Sequence, residues 1–375
     1  MTSDNDAPQR IAKLTPLADV LARVDALVRS VEPRAVEIAD AMGRVPAGDV
    51  NAVLDPRVPL ALRDGWAVRA DLTSDASSYA PVRLPAAERI DVGHPLPAGA
   101  DAVAPLDAVV PRDGRMDIIA PVGVGEGVLP AGVDANRQTT WVREGRRITR
   151  MQAAVLTAAR VERLHVCEPA LRLVRARAAS DAVIDAAIDL IAGEIAAAGG
   201  RVLPMQRAGD APLEDVLGDQ AADAIIAVGG TGTGRNDASV VALARAGSVE
   251  VHGIALSPGE TAAFGRVGSR PVLLLPGRLD AALAVWLVVG RRLLARLTGC
   301  TDEERVIRAR LARKVTSTLG LAEVVPVRIH EGAVEPIASG YVPLSALAQA
   351  NGWIFIKPDS EGYPAGSEVV VRPWP

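Results

Sequence analysis

The sequence predicts a multidomain protein of α/β plus β class, and three observations carry that prediction. Residues 169–300 alternate apolar strand-like runs with helical ones, the pattern of a parallel sheet covered on both faces. Residues 46–135 break into short β-type runs separated by Pro and Gly, as in IDVGHPLPAGADAVAPL. Residues 301–375 return to β patterning in EVVPVRIH, WIFIKP and SEVVVRPW, a small barrel or sheet. At 375 residues the chain exceeds what one hydrophobic core sustains, so several domains are expected.

The elements follow in chain order. PLADVLARVDALVRS spaces its apolar residues helically, and PRAVEIADAMGRV places Pro33 in a first-turn position, so residues 1–45 read as helical. TRMQAAVLTAARV (149–161) is a further helix. Residues 1–45 and 136–168 then form a helical linker region into which the β segment 46–135 is inserted. In 169–300, LRLVRA is a strand and AVIDAAIDLIAGEIAAAGG a helix closed by Gly199 and Gly200. DAIIAV is a buried strand, DASVVALARAG a helix, RPVLLLPG a strand and DAALAVWLVVGRRLLARLTG a long helix.

Composition excludes several functions. Aromatic residues are 3% of the chain, too few for a base-stacking platform, and the net charge of −4 lacks any long basic block. Nucleic acid is therefore not an expected partner. Cys167 and Cys300 belong to no CxxC pair and the four histidines have no HxxxH spacing, which argues against zinc or a disulfide framework. The polar N-terminus is no secretory signal, and the apolar run Ala281–Gly290 is too short to span a bilayer. A cytoplasmic protein without a membrane partner is expected.

The segment AIIAVGGTGTGRNDAS, 224–239, is the strongest local signal. In open α/β sheets ligands sit beyond the carboxyl ends of the strands, and a Gly-rich turn before a helix N-terminus favours an anion such as phosphate. The loop fits neither GxxxxGK[ST] nor GxGxxG. Candidate binding residues are Gly229, Gly230, Thr231, Gly232, Gly234 and Arg235, with the helix expected to start near Asn236. The strand RPVLLLPG delivers Pro276, Gly277 and Arg278 to the same edge. Asp237 has two readings: a helix cap, or a carboxylate that holds a divalent metal or bonds heterocycle N–H groups. Asp64 and Gly65, between apolar runs, read as a hairpin turn.

Together these motifs resemble the molybdopterin molybdotransferases, the MoeA/gephyrin E-domain family. RDGWAVRA looks like the family's MDGYAV turn, IDVGHPLPAGADAV like TGAPLPxGADAVV, and GEGVLPAGVDA like GENVRxxGEDI. VGGTGTGRND resembles GGVSVGxxD, LSPGETAAFG resembles KPGKPxxFG, LLPGRLDAAL resembles LPGNPVSA, and LSALAQANGWIFI resembles LSSLAxANGL. The resemblance implies a MogA-like α/β domain, an inserted β domain, a helical linker and dimerisation region, and a C-terminal β-barrel-like domain. It also implies a homodimer with the site between subunits. The substrates would be adenylylated molybdopterin, or a related pterin nucleotide, and molybdate, with AMP released. Magnesium would assist, and a molybdoenzyme apoprotein would receive the product. Matching positions include Asp64, Glu126, Asp134, Asp185, Asp210, Asp237, Pro276 and Gly277. The resemblance makes Asp64 and Asp237 the catalytic candidates, and Asp237 and Asp210 the metal candidates. Asp185 is followed by two alanines and reads as a solvated helix residue.

The departures are specific. RARAASDAV stands where the family has its acidic GDEL motif, leaving Asp181 as a relic. Val92 replaces a threonine, and Leu129 and Pro130 replace paired arginines. Ser257 and Glu260 replace the KPGKP lysines, while Arg278 and Ala281 replace an asparagine and a serine. Two alternatives therefore stand beside the transferase: a catalytically impaired pterin-binding or scaffold paralogue, and a molybdopterin adenylyltransferase-like activity.

Overall fold

The computed structural model describes residues 9–51, 55–85, 87–112, 115–136, 138–209, 211–235 and 237–375, and divides into two compact units. One runs up to Gly48 and takes in Glu144–Thr157 and Val161–Pro375; the other comprises Asp49–Arg143 and Ala158–Arg160.

The larger unit is built on a six-stranded sheet. Its order is Arg201–Arg207, Ala170–Arg175, Ala224–Val228, Arg270–Leu275, Ala263–Val267, Ser248–His252. The first four strands are parallel. Alternate residues of one strand face opposite cores, as the pleat requires. Ile226, Val228, Leu273 and Leu275 pack with Ile184, Ile188 and Trp286, whereas Ile225, Ala227, Val272 and Leu274 pack with Val240 and Leu243. Burial of each large apolar side chain contributes about 1.5–3 kcal/mol.

Two expectations need correction here. The sheet is mixed rather than wholly parallel, because Ala263–Val267 and Ser248–His252 add antiparallel strands at one edge. The turn between Val267 and Arg270 has Gly268 at φ 61°, which suits a two-residue hairpin. Residues 1–45 are also not wholly helical. Leu17–Leu27 is a helix, but Arg34–Glu37 is a strand paired antiparallel with Arg163–Cys167, followed by a 3-10 turn at Ile38–Asp40. The strand buries only Val36 and is fixed by its pairing with Arg163–Cys167, which local apolar spacing does not reveal.

The long C-terminal helix is interrupted. Leu279–Val285 and Arg291–Thr298 are α-helical, and Trp286–Gly290 forms a π-helical turn between them. A Cβ on Gly290 would lie 2.2 Å from a ring carbon of the fully buried Trp286. The missing side chain is what lets the indole lie along its own helix.

Beyond this helix the chain closes a β-barrel, resolving the choice between barrel and open sheet. Ala322–His330 pairs with both Ala333–Pro336 and Gly352–Ile356, and Ile307–Leu311 and Glu368–Pro373 complete the circuit. Val325 and Val327, Ile354 and Ile356, and Val369 and Val371 point inward in register. Leu256–Ser257, from the α/β part of the chain, adds a short parallel strand beside Ala322 and Glu323.

The smaller unit is all β with short 3-10 turns. Gly65–Val68 is the middle strand of one three-stranded sheet, and Arg115–Ile118 of another. Among the described residues no helix is long and apolar enough to cross a membrane.

Gly290→Ala is expected to cost roughly 1–3 kcal/mol through overpacking against Trp286. Urea unfolding followed by tryptophan fluorescence measures it; an unchanged midpoint would show that the π-helical turn tolerates a methyl group.

Candidate functional site

Because Ala224–Val228 and Arg270–Leu275 are parallel neighbours, the turns that follow them lie side by side. The Gly229 N–H donates to the Leu275 carbonyl at 2.9 Å, and a Cβ on Gly277 would sit 3.6 Å from the Gly229 Cα. The glycine loop and the Pro276–Gly277 turn therefore form one edge. Gly229 and Gly230 have φ of 97° and 71°, so the chain reverses there in a conformation that disfavours side chains.

What the loop's glycines admit is Asp237 itself. A Cβ on Gly232 would lie 2.7 Å from Asp237 Oδ2, and one on Gly234 would lie 3.1 Å away. Asp237 Oδ2 accepts the Gly234 N–H at 3.0 Å, while the Gly234 carbonyl accepts the Asp237 N–H at 3.0 Å. Asp237 Oδ1 accepts from Arg177 Nη2 at 3.0 Å. The cap reading of Asp237 is corrected, since the helix begins at Ser239 rather than near Asn236 and takes no side-chain cap from its N-cap residue, Ala238.

That helix is closed from elsewhere. Gln9 Oε1 accepts the N–H groups of Val240 at 2.8 Å and Val241 at 3.1 Å. Its Nε2 donates to the carbonyls of Gly230 at 2.9 Å and Gly232 at 2.8 Å. The helix N-terminus, expected to face an anion, thus spends these donors on a buried neutral amide. Thr231 Oγ1 lies 2.9 Å from Thr261 Oγ1, and Ser239 Oγ donates to the Gly229 carbonyl at 3.1 Å. These bonds brace the loop at Gly229–Gly232 and at Ser239.

Positive charge at this edge comes from the strand Ala170–Arg175 and the turn after it. Arg175 is buried, and its Nη1 donates to Asp185 Oδ2 at 3.2 Å. Asp185 is consequently an ion-pair partner, not a plain solvated helix residue. The Nε atoms of Arg175 and Arg177 are both buried without a hydrogen-bond acceptor. Asp181 caps the helix Ala182–Ala197 by accepting from Val183 at 3.0 Å and Ile184 at 3.3 Å. Two guanidiniums therefore occupy the segment where the resemblance leads one to expect an acidic motif.

The remaining candidates divide. Arg278 is held by Asp280, with Nε 3.0 Å from Oδ1, and lies over the Tyr341 ring at 4.9 Å. The Asp280 hydrogen bond raises the Arg278 pKa above the ordinary arginine value. Asp280 is buried and also accepts the N–H groups of Ala281 at 2.8 Å and Val342 at 3.1 Å, which commits it to the fold. Arg235 is exposed. Asp210 lies outside the described residues. No group of three His, Cys, Asp or Glu suited to a metal occurs among the described residues, and both Asp237 oxygens are engaged by N–H donors. These residues do not fit a magnesium ion held by Asp237.

In the smaller unit, Asp64 is exposed and its Oδ1 accepts the Val92 N–H at 2.8 Å. The hairpin reading of Asp64–Gly65 is corrected: Leu60–Ala61 pairs with Val128–Leu129, whereas Gly65–Val68 pairs with Glu88–Ile90 and Ala102–Pro105. The pair marks a bend between two sheets. A Cβ on Gly65 would meet the Ala104 carbonyl oxygen at 2.1 Å, so Gly is required for that strand to approach. Glu126 accepts from Gly123 N–H at 3.0 Å and Arg63 at 2.9 Å, which lower its pKa. Asp134 is exposed.

Gln9, Arg175, Arg177 and Thr261 were not among the sequence candidates. The arginines had a usable signal, since they end the first α/β strand at the ligand-facing edge. Gln9 had none: it acts across more than 220 residues of sequence.

Gln9→Ala is expected to loosen the loop by about 1–2 kcal/mol, read as faster amide exchange at Val240 and Val241; unchanged exchange would show that the loop stands without it. A double-mutant cycle on Arg177 and Asp237 should give at most about 1 kcal/mol of coupling, because Arg177 is 41% exposed.

Comparison with known proteins matches this architecture region by region. Residues 15–159 match the MoeA N-terminal region (domains I and II), 171–296 the probable molybdopterin binding domain, and 308–374 the MoeA C-terminal region (domain IV). Molybdopterin molybdenumtransferase 2 of Mycobacterium tuberculosis is 30% identical over 392 aligned positions, covering 92% of this chain and 96% of that protein. The crystal structure of a molybdopterin biosynthesis MoeA protein from Pyrococcus horikoshii superposes with a TM-score of 0.77 at 26% identity, over 97% of this chain and all of that one. With its α/β domain and closed barrel in place and homology along nearly its whole length, the chain belongs to the MoeA family of molybdopterin molybdenumtransferases.

Proposed function

We propose that this protein acts in molybdenum cofactor biosynthesis, binding adenylylated molybdopterin or a related pterin nucleotide and inserting molybdate with release of AMP. The observation that carries the reading is the convergence of the glycine loop, the Pro276–Gly277 turn and two arginines at one sheet edge. Phosphate groups need N–H donors and positive charge, and arginine meets them with a fork of donors. Arg177 is proposed as the group that turns from Asp237 toward a ligand phosphate, its Nε having no hydrogen-bond acceptor within the protein. Asp237 is then a positioning residue that shapes the loop rather than a metal ligand. Asp64 remains the proposed catalytic carboxylate of the smaller unit.

The finer parts of the reading are also proposals: a homodimer, a cytoplasmic location, molybdate as the oxyanion and delivery to a molybdoenzyme. The second reading, a pterin-binding scaffold without turnover, is favoured by one observation. The Asp237 and Arg278 side chains are both engaged within the protein.

Purified protein incubated with adenylylated molybdopterin, Mg²⁺ and molybdate should release AMP in a molybdate-dependent way. Binding without AMP release would support the scaffold, and adenylylation of free molybdopterin by ATP the adenylyltransferase alternative. Arg177→Ala should weaken nucleotide binding by roughly tenfold or more, the loss of one charge-assisted hydrogen bond. Equilibrium binding should survive EDTA, because arginines rather than a protein-held cation meet the phosphates; loss of binding on chelation would refute that assignment. Asp64→Asn should lower turnover without changing affinity, and an unaltered rate would remove Asp64 from the reaction.

A further inference from the structure

Where the strand Leu256–Ser257 joins the barrel, a cavity of about 250 Å³ opens between Ser257 and the barrel residues Thr316, Ser317, Thr318, Glu323 and Ser339. Leu321 and Gly340 complete the lining, in which Glu323 is the single carboxylate among several hydroxyls. Glu323 is 4% exposed, and it accepts the Ser339 hydroxyl at 2.8 Å and the Gly340 N–H at 2.9 Å through the same oxygen, Oε1. No arginine, lysine or histidine pairs with it among the described residues. Ser317 Oγ is buried in the same lining without a partner. A buried carboxylate without a counter-charge is costly to keep, and proteins keep such groups where a ligand completes them.

The chemistry of the lining selects the ligand. A carboxylate with one uncommitted oxygen repels molybdate, phosphate or sulfate. It attracts a group that offers an N–H donor to the free oxygen, since Oε1 already accepts two hydrogen bonds. The volume exceeds what a few waters fill and suits one fused heterocycle better than a nucleotide. We propose that this cavity binds the amino-pyrimidinone edge of a pterin, with the free oxygen of Glu323 accepting from the exocyclic amino group. The requirement for a donor-bearing, non-anionic group rests on Glu323. The choice of a pterin among such heterocycles rests on the function proposed above.

The test is binding of 6-hydroxymethylpterin to the full chain by fluorescence titration, without nucleotide or molybdate, so that it stands apart from any assay of AMP release. Lumazine, which carries an oxygen in place of the amino group, is the matched control. Wild-type protein should prefer the pterin to lumazine by roughly tenfold or more, and Glu323→Gln should abolish that preference. Glu323→Gln should also melt no lower than wild type, since it removes an unpaired buried charge; lower melting with the preference intact would mark Glu323 as a purely structural anchor. Leu321→Trp fills the cavity from another wall and leaves Glu323 intact, so it should block pterin binding even if the first variant folds poorly. Equal binding of pterin and lumazine to wild type, or displacement of the pterin by molybdate at this cavity, would overturn the assignment. A failure of AMP release with the pterin preference intact would instead count against the catalytic reading alone.

Discussion

The parallel pairing of Ala224–Val228 with Arg270–Leu275 is the constraint on which the rest of the larger unit depends. Nearly every side chain of these strands is sealed, and those of Ala224–Val228 are wholly inaccessible. A parallel pair buried on both faces has to be covered by helices and connected by crossovers, which fixes where each following turn emerges. Both turns leave at the carboxyl edge, close enough for Gly229 to bond the last carbonyl of the neighbouring strand. The site is thus a by-product of sheet packing: no loop had to search for its partner.

Electrostatics at that edge follow a rule of mutual neutralisation. Arg175 meets Asp185, Arg177 meets Asp237, and Arg278 meets Asp280. The three pairs differ in how firmly they hold. Asp280 is buried and serves two backbone amides besides, so taking Arg278 from it would strand a buried charge. Arg177 is far more exposed than Arg175, and Asp237, unlike Asp280, is not fully sealed, so their pair is worth at most about 1 kcal/mol. The energetics therefore single out Arg177 as the cation a ligand recruits at least cost. Its own carboxylate would keep the Gly234 amide as a partner after the exchange.

How much of this was legible in the sequence follows from the range over which each interaction acts. The strand AIIAV and its glycine turn were readable because burial on both faces leaves an uninterrupted apolar run and a reversal at positive φ requires glycine. The hairpin AFGRVGSRPV is harder to read, because its first strand is short and Gly265 interrupts its apolar run. Arg34–Glu37 reads locally as helix because Pro33 fits a helix start as well as a strand entry, and only the distant Arg163–Cys167 decides between them. Gln9 was invisible for the same reason in stronger form. Its side chain is polar and unremarkable in its own neighbourhood, and its four hydrogen bonds all reach across the chain. For Asp237, spacing offers a cap or a ligand-binding carboxylate; the helix start at Ser239 removes the cap, and its partners within the protein are a loop amide and an arginine.

The same comparison of ranges bears on the barrel cavity. At the sheet edge Asp185, Asp237 and Asp280 each meet an arginine, because arginines lie on the strands and turns that meet there. Glu323 sits on a barrel strand whose inward neighbours are Val325 and Val327, surrounded by hydroxyls that stabilise a charge weakly and cannot cancel it. If stability alone had shaped that position, glutamine would have kept both hydrogen bonds from Ser339 and Gly340 without the burden of a buried charge. A protein that neutralises its acids at one site and leaves one bare at another is separating two kinds of recognition. Arginines suit a negatively charged group, and an unsatisfied acceptor suits a donor-bearing one.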